Sequence, residues 1–445
     1  MHLNNNIFGA APEKKRVGVL LVTLIKNTAD ENEALSGIEE LRLLCETALE
    51  GSCDEVEFYI LTQSKASPEA ATYIGSGKVQ EAAKLCLDHD ISLVVFDTEL
   101  SPSQIRNNEE IITSYGKENA DVRVIDRTML ILDIFAKHAV TGEGKLQVEI
   151  AQLKYTAPRL TGKGIELSRQ GGTSGAVGAR GPGETKLETD RRHIRRRIES
   201  LEAQLADMEA ARSIKRSKRS GSGVCNVAIV GYTNAGKSTL LNYLTNAGIL
   251  AENKLFATLD PTTRKLSLPS GKEVLLTDTV GFINNLPHRL VEAFKSTLDE
   301  VRFADVLLIV ADASDTDTDK KIAVTEQIIN ELSAGGKPTI RVYNKCDGLD
   351  FLPYGGNRER LSEMTAVCIS AKTGQGIDEL LELLEDTVNH LTKEIKYLFP
   401  FDMQSAVNTL YRRATVLSTE YTDSGTEVVA LVDEELEGKY KDFEM

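Results

Sequence analysis

One short segment restricts the fold of this chain more than any other. Residues 231–238 read GYTNAGKS, which satisfies the pattern G-x-x-x-x-G-K-[ST]. The apolar stretch before it is typical of a buried strand, and TLLNYLT after it has helical spacing. In such a turn between a strand and a helix, backbone N–H groups can surround phosphate groups. The sequence therefore predicts a phosphate site in an α/β domain.

Two side chains and one backbone group are suited to hold a triphosphate. Lys237 provides a compact positive charge for the β- and γ-phosphates, and Ser238 is placed to bind Mg²⁺. Downstream, the strand EVLLTDTVG ends in the pattern D-x-x-G, where Asp278 would hold the metal through water and the N–H of Gly281 would meet the γ-phosphate. We predict Lys237 and Gly281 as the catalytic residues.

The segment TIRVYNKCD ends in the pattern N-K-x-D, which selects the base. The carboxylate of Asp347 can accept two hydrogen bonds from N1–H and N2–H₂ of guanine. Adenine lacks these donors and would leave the carboxylate unpaired, at a cost of about 1–3 kcal/mol or more. Asn344 can meet the base edge, the stem of Lys345 can lie across the ring, and 370–372 (Ser-Ala-Lys) can contact O6. These motifs, each at the end of a strand, predict a GTP site.

A threonine between Ser238 and Asp278 should complete the magnesium shell and sense the γ-phosphate. The candidate segment is LFATLDPTTR, residues 255–264, in which Thr258, Thr262 and Thr263 all qualify by residue type. An order–disorder change in this segment and in 281–286 would couple the nucleotide to partner affinity.

The length of 445 residues fits about three domains at roughly 100–200 residues each. The fold class is α/β, with a P-loop GTPase domain between smaller domains. We predict an N-terminal α/β domain (1–139), a basic helical hairpin with a glycine-rich tip loop (140–219), a GTPase domain (224–392) and a small α+β C-terminal domain (396–445). In the last of these, strands are expected near 397–401, 415–421 and 427–432, with a helix over 404–414. The tail, 434–445, is expected to fray.

The second predicted domain, 140–219, differs from the rest of the chain in charge and in glycine content. Residues 154–219 contain sixteen Lys or Arg and eight Asp or Glu, a net charge of +8 in a chain whose total is −15. Eight glycines lie within 161–183, which prevents regular structure there. Heptad spacing follows, at Ile194, Ile198, Leu201, Leu205 and Met208. From the residues alone, two interpretations stay open: an RNA-binding hairpin, or a dimerising coiled coil with a solvated charged face.

Several classes of protein are excluded by composition. Six cysteines without a C-x-x-C pair are typical of a reducing cytosol and favour neither a zinc site nor a disulfide framework. The first residues lack the apolar core of a signal peptide, and no apolar run approaches 18 residues. We therefore expect a cytoplasmic protein that does not span a membrane.

With these motifs in place, the whole chain resembles the HflX family of translation-factor-related GTPases. The resemblance rests on GYTNAGKSTLLN, LFATLDPTTR, LLTDTVGFI and NKCD, and more specifically on YIGSGKVQEA and GPGETKLETDRR. It implies Mg²⁺-dependent GTP hydrolysis. It also implies binding of a monomer to the large (50S) ribosomal subunit through rRNA contacts of residues 154–219. The implied roles are splitting or rescue of ribosomes, or subunit assembly.

The resemblance also implies a set of nucleotide contacts and favours Ser238 and Thr258 as the metal ligands. The implied contacts are Gly231, Tyr232, Thr233, Asn234, Ala235, Gly236, Lys237, Ser238, Thr239, Phe256, Ala257, Thr258, Leu259, Asp260, Asp278, Thr279, Val280, Gly281, Asn344, Lys345, Cys346, Asp347, Ser370, Ala371 and Lys372.

Two residues depart from small signalling GTPases. Phe282 stands where many of them carry a water-orienting glutamine, so unaided hydrolysis should be slow and the ribosome would supply what is missing. Asn234 lies where some related GTPases bind K⁺, although a plain turn residue fits equally well.

Two other functions stay open. A tRNA-modification GTPase would share the asparagine in the phosphate loop, but that family ends in a cysteine motif, and the last 70 residues here contain no cysteine. A dimeric scaffold that uses GTP to time assembly is the second alternative.

Overall fold

Strands alternate with helices in both halves of the chain. The computed structural model describes residues 16–27, 31–115, 122–161, 182–220, 224–245, 255–256, 261–283, 295–349, 352–353, 365–432 and 434–445. The described residues fall into two compact units. The first contains those up to Ala206 together with Leu255, Phe256 and Lys295, and the second contains the others.

A four-stranded parallel sheet with the order β2-β1-β3-β4 forms the centre of the first unit. Its strands are β1 (Arg16–Ile25), β2 (Glu55–Ser64), β3 (Ile91–Phe96) and β4 (Arg123–Asp126). The helices that alternate with them are α1 (Glu31–Leu49), α2 (Ser76–Asp88), α3 (Pro102–Tyr115) and α4 (Arg127–His138). Helix α1 packs with α4, and α2 packs with α3. Strands β1 and β3 are almost entirely buried, as expected of a parallel sheet covered on both faces.

Two further helices, α5 (Gly142–Thr156) and α6 (Pro182–Ser220), form the basic segment. They are joined by two exposed ion pairs, Glu149–Arg197 at 2.8 Å and Lys154–Glu202 at 2.7 Å. The heptad positions from Ile194 to Leu205 are buried or half-buried, while the positions between them are exposed. Met208 departs from this pattern because it is exposed.

Asp126, at the end of β4, links the sheet to the basic segment. Its carboxylate is fully buried and accepts hydrogen bonds from the N–H groups of Leu100 and Met129, at 3.0 and 2.9 Å, and from the hydroxyl of Tyr155. Arg159 lies 3.4 Å from the same carboxylate and donates to the carbonyl of Leu100 at 3.0 Å. Burial raises the pKa of Asp126, and the donors oppose that rise. The network fixes the end of α5 against the sheet.

A six-stranded sheet with the order β10-β9-β8-β5-β7-β6 forms the centre of the second unit. Its strands are β5 (Cys225–Gly231), β6 (Thr262–Ser267), β7 (Glu273–Asp278), β8 (Val306–Asp312), β9 (Thr339–Asn344) and β10 (Ala366–Cys368). The helices of this part are α7 (Lys237–Thr245), α8 (Lys295–Phe303), α9 (Thr318–Glu331) and α10 (Ile377–His390). All neighbouring strands are parallel except β6, which is antiparallel to β7. The carboxyl ends of β5, β7, β9 and β10 therefore meet at one edge.

A three-stranded antiparallel sheet follows, with the order β11-β13-β12. Its strands are β11 (Lys393–Phe399), β12 (Thr415–Thr422) and β13 (Gly425–Val432), and its helices are α11 (Gln404–Arg413) and α12 (Glu434–Tyr440). The predicted α+β fold of this end is confirmed, but the prediction of a fraying tail is wrong. Leu436 and Tyr440 are buried, and the ring of Phe443 lies 5.4 Å from that of Phe399. Apolar side chains at helical spacing thus bind the tail to the sheet.

The six cysteines are all free thiols. Among the helices within the described ranges, none combines the length and the apolar character needed to cross a bilayer.

The hydroxyl of Tyr155 is expected to stabilise the first unit by about 1–3 kcal/mol, because its removal leaves the buried Asp126 carboxylate with one donor fewer. The variant Tyr155→Phe tests this in urea unfolding, with hydrogen exchange of the β4 amides to assign the change to the first unit. Tyr115→Phe is the matched control, since Tyr115 is 50% exposed at the end of α3. Equal stabilities of the two variants would contradict the role of this network.

Candidate active site

The phosphate loop connects β5 to α7 and depends on two glycines. Gly231 has φ +148°, and a Cβ there would lie 2.1 Å from the carbonyl oxygen of Val310 on β8. Gly236 has φ +91°, and a Cβ there would lie 2.1 Å from Nδ2 of Asn344. Asn234 also has a positive φ, +62°, which asparagine tolerates better than most residues. The loop therefore takes a shape that larger residues would prevent.

Lys237 and Ser238 open α7 and face the end of β7. The ammonium group of Lys237 is buried and donates to the carbonyl of Tyr232 at 2.9 Å. Burial lowers the pKa of Lys237 to about 8, and the nearby Asp278 opposes this change. The hydroxyl of Ser238 donates to Oδ2 of the buried Asp278 at 2.6 Å. The structure thus brings the lysine, the serine and the carboxylate of the first two motifs together.

The segment after β7 is bonded to the phosphate loop through its main chain. The N–H of Phe282 donates to the carbonyl of Gly231 at 3.0 Å, and the N–H of Thr233 donates to the carbonyl of Phe282 at 2.7 Å. A Cβ on Gly281 would lie 2.9 Å from Nζ of Lys237, so the backbone at this position lies beside the ammonium group. The hydroxyl of Thr279 donates to the carbonyl of Ile229 at 2.7 Å, which binds this residue to β5. Sequence reasoning did not anticipate the link through Phe282.

Asn344 ends β9 and joins two loops. Its Nδ2 donates to the carbonyl of Ala235 at 2.8 Å, and its Oδ1 accepts from the N–H of Ala371 at 2.9 Å. The side chain is 2% exposed. Both ends of the amide therefore form hydrogen bonds inside the protein, and the side chain holds the phosphate loop against the segment 370–372. Because Nδ2 carries a second N–H, the contact of Asn344 with the base edge stays a prediction.

Asp347 remains exposed beside this bridge. Its Oδ1 accepts a hydrogen bond at 2.7 Å from the hydroxyl of the buried Ser370, which lowers the pKa of the carboxyl. Lys345 has φ +65°, and its ammonium group pairs with Asp312 at 2.7 Å. Cys346 is buried between these two residues. The arrangement presents an ionised carboxylate to the edge of the sheet.

The candidate switch segment is described only in part. The predicted contacts Ala257, Thr258, Leu259 and Asp260 lie outside the described residues. Phe256 is buried with φ +58°, and its ring lies 4.7 Å from that of Phe135 on α4, edge to face, within the first unit. Thr263, one of the alternatives to Thr258, shares a hydrogen bond of 2.9 Å with Thr277 on the neighbouring strand.

The remaining predicted residues lie within the same loops. Tyr232 and Val280 are buried, Thr239 is half-buried in the first turn of α7, and Lys372 is exposed. Across the described ranges, no group of three or more His, Cys, Asp or Glu residues could hold a metal ion. The hydroxyl of Ser238 and the carboxylate of Asp278 are oxygen donors that a hard metal ion could use at this edge.

Family models match three stretches of the chain. The model described as GTP-binding GTPase N-terminal matches residues 36–136, and the one described as GTP-binding GTPase Middle Region matches 138–219. A third model, described as 50S ribosome-binding GTPase, matches 226–345.

Curated proteins named GTPase HflX align with most of the chain. The one from Caldanaerobacter subterraneus subsp. tengcongensis is 46% identical over 97% of this chain and 94% of its own length. The one from Escherichia coli strain K12 is 44% identical over 74% of this chain and 75% of its own length. A crystal structure of a GTP-binding protein from Sulfolobus solfataricus in complex with GDP is 24% identical, covers 84% of this chain and 99% of that chain, and has a TM-score of 0.42. The chain belongs to the HflX family of GTPases, and it binds and hydrolyses GTP.

Proposed function

We propose that GTP lies along the carboxyl edge of the second sheet, with its phosphates on 231–239 and 278–281 and its base on 344–347 and 370–372. The segment 256–260 completes the set. Lys237 and Gly281 are the proposed catalytic residues, because the ammonium group and the glycine backbone lie beside each other, where one γ-phosphate can touch both. Negative charge that develops during phosphoryl transfer is stabilised there by a buried cation.

The discrimination between bases rests on Asp347. Asn344 already uses both ends of its amide inside the protein, whereas the Asp347 carboxylate is exposed and its pKa is lowered by Ser370. An ionised carboxylate accepts from two adjacent N–H donors, which guanine offers and adenine does not. The exposure of this ionised carboxylate is the observation on which the proposed preference for GTP over ATP rests.

The variant Asp347→Asn is expected to weaken GTP binding by about 100-fold or more, because an amide donor then faces the guanine donors. Xanthosine triphosphate, which has a carbonyl at C2, should gain affinity in the same variant. Calorimetry with GTP, ATP and xanthosine triphosphate measures both effects. Asp378→Asn is the control, since Asp378 is exposed in the first turn of α10 and the charge change is the same. Unchanged GTP affinity in Asp347→Asn would refute this assignment.

We propose Mg²⁺ as a cofactor, with Ser238 and Thr258 as its protein ligands and Asp278 acting through water. The Ser238 hydroxyl and the Asp278 carboxylate already meet at 2.6 Å, and hard oxygen donors of this kind are those that Mg²⁺ prefers. When bound, the ion neutralises phosphate charge.

Asn234 is the proposed ligand of a K⁺ ion. Hydrolysis should then be faster in KCl than in NaCl, and equal rates would exclude this ion.

We further propose that the GTP-bound form, a cytoplasmic monomer, binds the large (50S) ribosomal subunit and splits or rescues ribosomes, or assists their assembly. Support comes from α6, where Arg191, Arg192, Arg195 and Arg196 are all exposed. Arginines in this arrangement neutralise RNA phosphates. The description of the family model that matches 226–345, a 50S ribosome-binding GTPase, agrees with this partner.

Replacement of these four arginines by glutamine should weaken binding to 50S subunits about 10-fold or more and reduce its salt dependence, because fewer counterions are released. Sedimentation with 50S subunits and a non-hydrolysable GTP analogue measures binding at several salt concentrations. The control variant carries four glutamines at exposed basic positions elsewhere, Lys84, Arg106, Lys320 and Lys439.

Equal binding by the two variants would refute the assignment of RNA contacts to α6. Gradients of 70S ribosomes with GTP, GDP or the analogue separate the roles. Release of free subunits with the triphosphate forms alone supports splitting, and intact 70S ribosomes in all three gradients would contradict it.

A further inference from the structure

A threonine hydroxyl is buried without a partner in the phosphate loop. Thr233 is 7% exposed, and no described residue forms a hydrogen bond with its Oγ1. Its main chain is engaged, because the N–H donates to the carbonyl of Phe282 at 2.7 Å. A buried hydroxyl without a partner costs free energy, which a partner brought by the substrate would recover.

The side chain lies beside the place proposed for the γ-phosphate. A Cβ on Gly281 would lie 2.8 Å from Cγ2 of Thr233 and 2.9 Å from Nζ of Lys237. The threonine side chain and the ammonium group therefore flank the same point. Rotation about χ1 to the neighbouring staggered position can bring Oγ1 to the place that Cγ2 occupies.

Position 282 cannot provide a polar group at this point. The ring of Phe282 is apolar and 1% exposed, and its N–H and carbonyl are both bonded to the phosphate loop. An attacking water must nevertheless be oriented toward the γ-phosphorus for efficient hydrolysis. Thr233 has a hydroxyl and lies directly beside Gly281.

We propose that Thr233 is a further catalytic residue of GTP hydrolysis, whose hydroxyl accepts a hydrogen bond from the attacking water. The proposal rests on the GTP site proposed above. The water oxygen forms a bond to the γ-phosphorus, and the bond from the γ-phosphorus to the β–γ bridging oxygen breaks. That oxygen leaves with the electron pair as part of GDP. One water proton stays on the released phosphate, the other passes to solvent, and the threonine is unchanged.

Three variants test this role. Thr233→Val keeps the shape and removes the hydroxyl, and Thr233→Ser keeps the hydroxyl. Thr325→Val is the matched control, because Thr325 is buried in α9 with its hydroxyl bonded to the carbonyl of Lys321 at 2.8 Å. Single-turnover rates at saturating GTP are measured together with Kd values for GDP and a non-hydrolysable GTP analogue, which separates chemistry from binding.

We expect Thr233→Val to lower the single-turnover rate about 10- to 100-fold with GDP affinity unchanged, as loss of a hydrogen bond made in the transition state predicts. Thr233→Ser should stay within about 3-fold of the natural chain, and Thr325→Val should match it. A Thr233→Val rate equal to that of the natural chain would overturn the proposal, as would equal losses in the valine and serine variants. Unchanged GTP affinity in Asp347→Asn would instead overturn the proposed site.

Discussion

The buried amide of Asn344 is the interaction on which the rest of the site depends. It joins the phosphate loop, through Ala235, to the segment 370–372, through Ala371. Loss of either bond would leave a buried polar group unpaired, at about 1–3 kcal/mol for each. The amide also explains the second glycine of the motif, since a Cβ at Gly236 would meet Nδ2 at 2.1 Å. The amide thus sets the spacing between the phosphate loop and the segment 370–372, and a fixed spacing reduces the ordering cost of binding a ligand to both.

A second constraint acts on the opposite side of the phosphate loop. Phe282 exchanges two main-chain hydrogen bonds with the loop, so the glycine before it is held close to Lys237. The same bonds and the burial of the ring prevent position 282 from acting on water. In the proposed site, the main chain of 281–282 therefore positions the contact with the γ-phosphate, and the hydroxyl of Thr233 in the phosphate loop provides the polar group.

The parts of the fold that local pattern determines were predicted well. The strands expected near 415–421 and 427–432 are β12 (Thr415–Thr422) and β13 (Gly425–Val432), because β-branched residues stand on both sides of a short turn. The predicted strand at 397–401 ends at Phe399 instead, where Pro400 cannot donate to a ladder. The tail was mispredicted because the three apolar side chains that bind it, at 436, 440 and 443, are diluted by charged residues.

The candidate site, like the fold, could be predicted where local sequence determines it and was missed where residues distant in sequence meet. The motif residues Lys237, Ser238 and Asp278 lie together, since each motif fixes its own loop at a strand end. The bridging role of Asn344 was missed, because its two partners lie 109 and 27 residues away in sequence. The backbone of Phe256 has a positive φ, which costs about 1–3 kcal/mol, and no local sequence pattern predicts it. Its ring is held by Phe135, far back in the chain.

The uneven distribution of charge along the chain favours one orientation of the protein on the proposed RNA partner, and it also contributes to the affinity. Residues 154–219 carry +8 in a chain whose total is −15, so the remainder is strongly acidic and repels a polyanion. At physiological ionic strength the screening length is about 8 Å, and only charges close to the RNA contribute. The proposed RNA partner would therefore attract this protein through residues 154–219. The remainder of the chain carries a net negative charge, and like-charge contact of that kind suppresses binding in other orientations.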